Sequence, residues 1–357
     1  MSFRLLDGDP PDDSVRRLTF VPFLPDGCCI ALPGGSGSLS LPHGAVEQGE
    51  SWLLDAALRI PLTTAGFRMQ RVRPFAADDD HVFAWLDGDR YTGGRDHVDA
   101  DWVVDSPEGI SQRFHRAGDP ATARIVDEAA RSFRGQSDSS YYADNLRLLE
   151  PAYLRGQSAE SGSGFGGTPA QWRARRQMIL DGIDSDGTFL DVGCANGLLM
   201  ESVHRWAAER GLVVEPYGVD LGPRLVEVAR LRLPQWADRV EVGNAIDYVP
   251  TSGARFTFVH VLLDTVPTAR RHDLLQHALD SLVEPDGRLL VSHYGGPADR
   301  PAAGQVARLG FGVAGQSAAA DGRASTAWID VPIPAGSGRT AQRRRSDEET
   351  TSSPRVT

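Results

Sequence analysis

The sequence predicts an α/β fold: a mostly parallel sheet in the second half of the chain, preceded by a smaller α+β region. Three observations predict it. From residue 187 onward, short apolar runs alternate with helical patterns, the order that builds a parallel sheet with helices on its faces. The first run, Thr188-Phe189-Leu190-Asp191-Val192, enters a small-residue turn, Gly193-Cys194-Ala195-Asn196-Gly197, that opens a helix. Before residue 135 the style changes: Leu18 to Phe23 and Cys28 to Leu32 flank Pro25-Asp26-Gly27 as a hairpin.

In the turn, Gly193, Ala195 and Gly197 keep side chains away, so the backbone can approach a ligand closely. The helix after it, Leu198 to Glu209, offers unpaired N–H groups at its start and stops at Gly211. A dinucleotide site would need G-x-G-x-x-G to seat a pyrophosphate on that helix. Here the acid Asp191 precedes the glycines; it would repel a pyrophosphate and suits a ligand carrying an ammonium group. Taken alone, the turn also reads as an ordinary strand–helix connection without a ligand.

The following elements come in a consistent order. Val213 to Val219 is a second strand ending in Asp220, where a Rossmann-type site holds ribose hydroxyls; the same Asp also reads as the N-cap of the helix opened by Gly222-Pro223. Val240 to Val242 is a third strand, followed by Gly243-Asn244-Ala245, in which Asn244 is a ligand contact or a turn residue. Phe256 to Val261 is a fourth strand, Ala269 to Leu282 a helix, Pro285-Asp286-Gly287 a turn and Arg288 to Tyr294 a fifth strand. Leu309 to Val313 and Thr326 to Val331 read as the last two strands.

The order Asp191-x-Gly193-x-Ala195-x-Gly197 resembles motif I of the class I S-adenosylmethionine (SAM) methyltransferases, (D/E)-x-G-x-G-x-G, with alanine at the middle glycine. Glu284-Pro285-Asp286-Gly287-Arg288-Leu289-Leu290-Val291 is similar to that family's approach to its fifth strand. The resemblance implies a Rossmann-like, seven-stranded methyltransferase domain over residues 171–334. It implies SAM as cofactor, bound by Asp191, Gly193, Cys194, Ala195, Gly197, Asp220, Leu221, Asn244, Ala245 and Val261. It also implies a lid helix over Tyr141 to Leu154, within a linker at residues 136–170; its aromatic stripe equally suits plain core packing. Phe165, in a glycine run, is the candidate mobile cover. In Arg173, Arg175 and Arg176, one arginine would pair with the methionine carboxylate.

Leu39 to Phe67 resembles a degraded Nudix box, which makes residues 1–135 a Nudix-like domain. Gly44 and Glu50 match the opening, and Arg59 and Gly66-Phe67 the close with one extra residue. Ile60, Thr63 and Thr64 stand where that family's helical glutamates hold magnesium, and magnesium prefers carboxylates. Pro61 would disturb the helix. The expectation is a shell without hydrolase activity, used for recognition or dimerisation, and no metal site.

Composition narrows the function further. Of 357 residues, 41% are hydrophobic and 24% charged, the balance of a soluble globular chain. No apolar run approaches the roughly 20 residues of a membrane span. A net charge of −11 argues against a nucleic-acid grip, apart from Arg343 to Arg345 in the tail. Cys28, Cys29 and Cys194 make no disulfide framework; Cys28 and Cys29 read as fillers on opposite strand faces, with a reactive thiol pair as the alternative. Without a signal-peptide core, the expected place is the cytoplasm. Residues up to about Arg16 read as a loose arm. Asp78 to Asp80 and Asp87 to Asp89 read as acidic turns, and residues 335–357 as a disordered tail.

The leading reading is a SAM-dependent methyltransferase acting on a small-molecule acceptor. His260 and Asp264, near the carboxyl end of the fourth strand, are the candidate catalytic bases, with His293 weaker. The alternatives are a non-catalytic SAM- or nucleotide-binding module and a nicotinamide-dependent oxidoreductase.

Overall fold

A computed structural model describes residues 3–90, 101–295 and 299–333; the tail expected at 335–357 lies outside the described residues. Strands β1 (Arg4–Leu5), β2 (Arg17–Phe23), β3 (Cys29–Pro33), β4 (Leu39–Ser40), β5 (His43–Ala45), β6 (Phe67–Asp78), β7 (His81–Arg90) and β8 (Val103–Asp105) form the N-terminal sheet. Its order is β1-β6-β7-β2-β3-β4, with β5 beside β2 and β8 beside β3. Along β2 the pleat sends Leu18 and Phe20 to one face, Val21 and Phe23 to the other. The first face packs on α1 (Ala57–Ala65), the second on α2 (Pro107–Arg116) and α3 (Pro120–Arg134).

Four expectations are corrected here. The N-terminal arm is tied down: Asp12 Oδ1 accepts from the Trp52 N–H at 3.0 Å, and Trp52 Nε1 donates to the Pro10 carbonyl at 3.1 Å. Asp87 to Asp89 are not a turn but part of β7, where Asp87 pairs with buried Arg71. The twelve-residue β6 reads in sequence as the end of the box, because charged residues interrupt its apolar pattern. Helix α1 runs through Pro61. The turn before it, Trp52–Ala56, is wound wide as a π-helix, which accommodates the missing proline N–H.

Helix α4 (Asp138–Leu154) joins the two sheets. Its Arg147 donates to the Val72 carbonyl of β6, and its Leu148 is buried in the N-terminal core. After α5 (Pro169–Arg176) the second sheet begins. Its strands are β9 (Gly187–Val192), β10 (Val214–Asp220), β11 (Val240–Val242), β12 (Phe256–Leu262), β13 (Val283–Tyr294), β14 (Gly315–Ala318) and β15 (Ala324–Asp330), interspersed with α6 (Leu198–Glu209), α7 (Pro223–Arg232), α8 (Arg271–His277) and α9 (Ala302–Arg308). The order is β11-β10-β9-β12-β13-β15-β14, parallel except for β15, which runs against both β13 and β14. The penultimate strand is therefore later than expected. Leu309 to Val313 form the exit from α9, where Gly310 at φ +89° ends the helix.

Candidate functional site

From β9 the chain winds outward through β10 to β11, then returns to β12 on the other side of β9. Open sheets bind ligands at such a reversal, beyond the carboxyl ends of the strands. Asp191 and His260 bridge it. They are direct neighbours across β9 and β12, and His260 Nδ1 lies 2.8 Å from Asp191 Oδ1 with both side chains buried. A buried carboxylate requires such a partner. His260 is thus held from behind, and its Nε2 is buried with no hydrogen-bond partner.

The glycine turn takes left-handed backbone angles at Gly193 (φ +86°), Ala195 (+48°) and Gly197 (+76°). Its amides point inward. The Gly193 and Cys194 N–H groups donate to the Val219 carbonyl at 2.8 and 3.1 Å, and the Ala195 N–H to Asp220 Oδ2 at 2.8 Å. Asn196 Oδ1 caps the Leu198 N–H at 3.1 Å, so the first amide of α6, expected to be free, is taken. Asp220 Oδ1 also accepts from the Gly222 N–H at 2.8 Å, so it starts α7 and clamps the turn at once. Burial raises its carboxyl above the ordinary range, and those two backbone N–H groups oppose the rise.

The other expected cofactor residues divide. The Cys194 side chain packs among Met200, Val226, Ala229 and Val240, and burial pushes its thiol well up. Ala245 and Val261 lie in the core beneath α8. Leu221 is half-buried beside Asp220. Asn244 Oδ1 accepts a long 3.4 Å bond from the Ile246 N–H; Tyr142 of α4 stands beside it with its hydroxyl buried and unpartnered. Asp264 is exposed at the end of β12, and its carbonyl accepts from the Tyr141 hydroxyl at 2.9 Å. His293 is half-buried, 3.5 Å from Asp299.

The three arginines of α5 are separated by their partners. Arg173 pairs with Glu209, and Arg175 with Asp321 at 2.8 Å. Arg176 is 8% exposed and has no carboxylate in ion-pair range among the described residues. Its guanidinium lies over the rings of Tyr294 at 3.3 Å, Trp172 at 4.9 Å and Phe165 at 5.2 Å. Burial lowers its proton affinity, while nearby Tyr294, Asp191 and Tyr153 raise it. Phe165 is the correction here: it is 8% exposed and wedged against Trp172, with ring centroids 5.6 Å apart, not a mobile cover.

Helix α4 and the turn Ser161–Ser163 close over this end of the sheet. Glu150 accepts from the Arg224 N–H at the head of α7 at 2.9 Å, and Asn196 Nδ2 donates to the Ala159 carbonyl at 2.8 Å. Asn196 Oδ1 also takes the Ser163 hydroxyl. Tyr153, near Asp220, Asp264 and Arg176, is pushed by burial up to about 12 and stays protonated. Sequence reasoning gave Asn196, Tyr153 and Tyr294 no site role. For Asn196 a signal existed: an amide between two small residues in a left-handed turn.

No family model matches the chain, and no curated protein matches it. Among solved structures, the [4+2]-cyclase SpnF aligns over 55% of this chain and 97% of its own, at 12% identity and a TM-score of 0.39. A SAM dependent methyltransferase from Aquifex aeolicus aligns over 49% and 100%, at 14% identity and 0.35. The glycopeptide N-methyltransferase MtfA, complexed with S-adenosyl-L-homocysteine, aligns over 44% and 88%, at 16% identity and 0.35. Function therefore rests on this chain's own residues.

Proposed function

We propose that the C-terminal sheet binds SAM and that the chain is a methyltransferase for a small-molecule acceptor. The observation that supports this most is Arg176: a buried guanidinium facing the sheet reversal with rings around it and no carboxylate. A buried charge calls for an opposite one, and an amino-acid ligand brings a carboxylate. The pyrophosphate of a nicotinamide cofactor fits worse, since the turn spends its amides on Val219 and Asp220.

The residues present fit a ligand with an amino acid at one end and adenosine at the other. Arg176 would hold the carboxylate, Asp220 the ribose hydroxyls through its remaining lone pairs, and Asn244 with Tyr142 the adenine edge. When bound, SAM supplies a methyl on a sulfonium, already activated for displacement. The chain positions the acceptor and excludes water, for which α4 and the Ser161–Ser163 turn are the cover. Asp264, exposed at the mouth, is the base for an acceptor that arrives protonated. His260, committed to Asp191, is a positioning residue.

The test is transfer of labelled methyl from SAM to the small-molecule fraction of a cell extract, with S-adenosylhomocysteine and NAD compared by calorimetry. Adenosylhomocysteine binding with transfer supports the enzyme; binding without transfer leaves a SAM-binding module; NAD binding alone overturns the reading.

The N-terminal region fits a Nudix-like shell without hydrolysis. Arg59 Nε and Nη2 each reach Glu50 at 2.7 Å, Ile60 is buried, and the Thr63 and Thr64 hydroxyls bond to helix carbonyls. Metal-dependent phosphate release from nucleoside diphosphate derivatives, lost in Glu50→Gln, would contradict this.

A further inference from the structure

A cavity of about 170 Å³ lies where the two sheets and α4 meet. Gln70, Arg71 and Asp87 of the N-terminal sheet line one side, Tyr141 of α4 another, and Val266 to Ala269, just after Asp264, a third. The remaining wall is apolar, from Leu24, Pro25 and Phe133. The polar feature is unusual. Arg71 is 6% exposed; its Nε and Nη2 donate to Asp87 Oδ2 at 3.0 and 2.6 Å, and its guanidinium lies over Tyr141 at 4.7 Å. Its Nη1 is buried with no hydrogen-bond partner. Such a donor is costly to leave unpaired.

We propose that this cavity binds a single-ring aromatic molecule bearing one neutral oxygen acceptor, with Arg71 Nη1 as the donor to that oxygen. Size sets the ring: an apolar cavity of about 150 Å³ takes up one benzene. Charge sets the acceptor. Asp87 already balances Arg71, so what is missing is a lone pair rather than an anion. The walls of Phe133, Tyr141 and Pro267 suit an aromatic face. Tyr141 also fixes the place: its hydroxyl, kept protonated by burial that pushes it to about 12, donates to the Asp264 carbonyl. A ring in the cavity therefore sits next to the candidate base. On the methyltransferase reading, which this clause alone requires, the cavity is the acceptor's entry and Arg71 a specificity residue supplied by the other sheet.

The test uses the full chain and two probes of one shape, acetophenone and ethylbenzene, by calorimetry or ligand-observed NMR. Acetophenone is expected to bind about tenfold more tightly, the worth of one buried hydrogen bond. Arg71→Lys keeps the pair with Asp87 and removes the spare donor, so it should erase that preference. Ala269→Trp, a surface change at the rim, should abolish binding of both probes and leave adenosylhomocysteine binding unchanged. Equal binding of the two probes, no binding of either, or binding that survives Ala269→Trp overturns the proposal. If acetophenone binds in this Arg71-dependent way while adenosylhomocysteine does not bind, the cavity stands and the methyltransferase reading falls.

Discussion

Arginine meets carboxylate in both halves of this chain, with opposite outcomes. In the N-terminal half Arg59 grips Glu50 with two 2.7 Å bonds and donates to the Ala45 carbonyl at 3.0 Å. In the C-terminal half Arg176 has rings for neighbours, because Asp191 is committed to His260 and Asp220 to two backbone N–H groups. The first arrangement is closed and has little left for a ligand. The second leaves a buried positive charge that a ligand's carboxylate would complete. The presence of acids and arginines in a motif does not define a site; which of them are already paired does.

The comparison is sharpened first through stability. Asp191→Leu strips His260 Nδ1 of its buried acceptor, so urea unfolding should show a loss of about 3 kcal/mol. Glu50→Gln, at a pair far more open to solvent, should lose less than about 1 kcal/mol. Equal losses would break the distinction. The second effect is on binding. Asp220→Ala removes the acceptor of the Ala195 and Gly222 N–H groups and should weaken adenosylhomocysteine at least about tenfold by calorimetry. Arg59→Met should leave that affinity unchanged.

The smallest effect is on pH. Arg59 holds the Glu50 carboxyl at about 2, below its ordinary 4.5. The pair's contribution is therefore complete above about pH 4.5 and is lost as the pH falls toward 2. Solvent screening keeps it small. In Arg59→Met this part of the acid limb should vanish from a melting-temperature profile; an unchanged limb would mean the pair is not what titrates.

Much of the C-terminal sheet was legible because each strand is an apolar run bounded by its own punctuation. Gly211 closes α6 and Pro223 opens α7, and the motif fixed where β9 ends. The penultimate strand was misplaced because Leu309 and Phe311 look like strand residues yet pack where α9 ends, while the true strand, Gly315–Ala318, is nearly featureless. In the site, the residue types could be named but not their pairings. Nothing local distinguishes Arg176 from Arg173 and Arg175; the choice depends on Glu209 and Asp321, far away in sequence. Phe165 was misjudged for the same reason, since its wall, Trp172 and Arg176, is set by the path of α5.

The most direct measurement is Arg176→Met, followed by calorimetry with adenosylhomocysteine and by thermal unfolding. A buried arginine waiting for a ligand's carboxylate should, when removed, cost affinity by about a hundredfold, since bonds between charged partners are the strong ones. The melting temperature of the free chain should not fall, since no ion pair is lost. Unchanged affinity, or a large drop in stability without one in binding, would make Arg176 a structural residue and contradict the account.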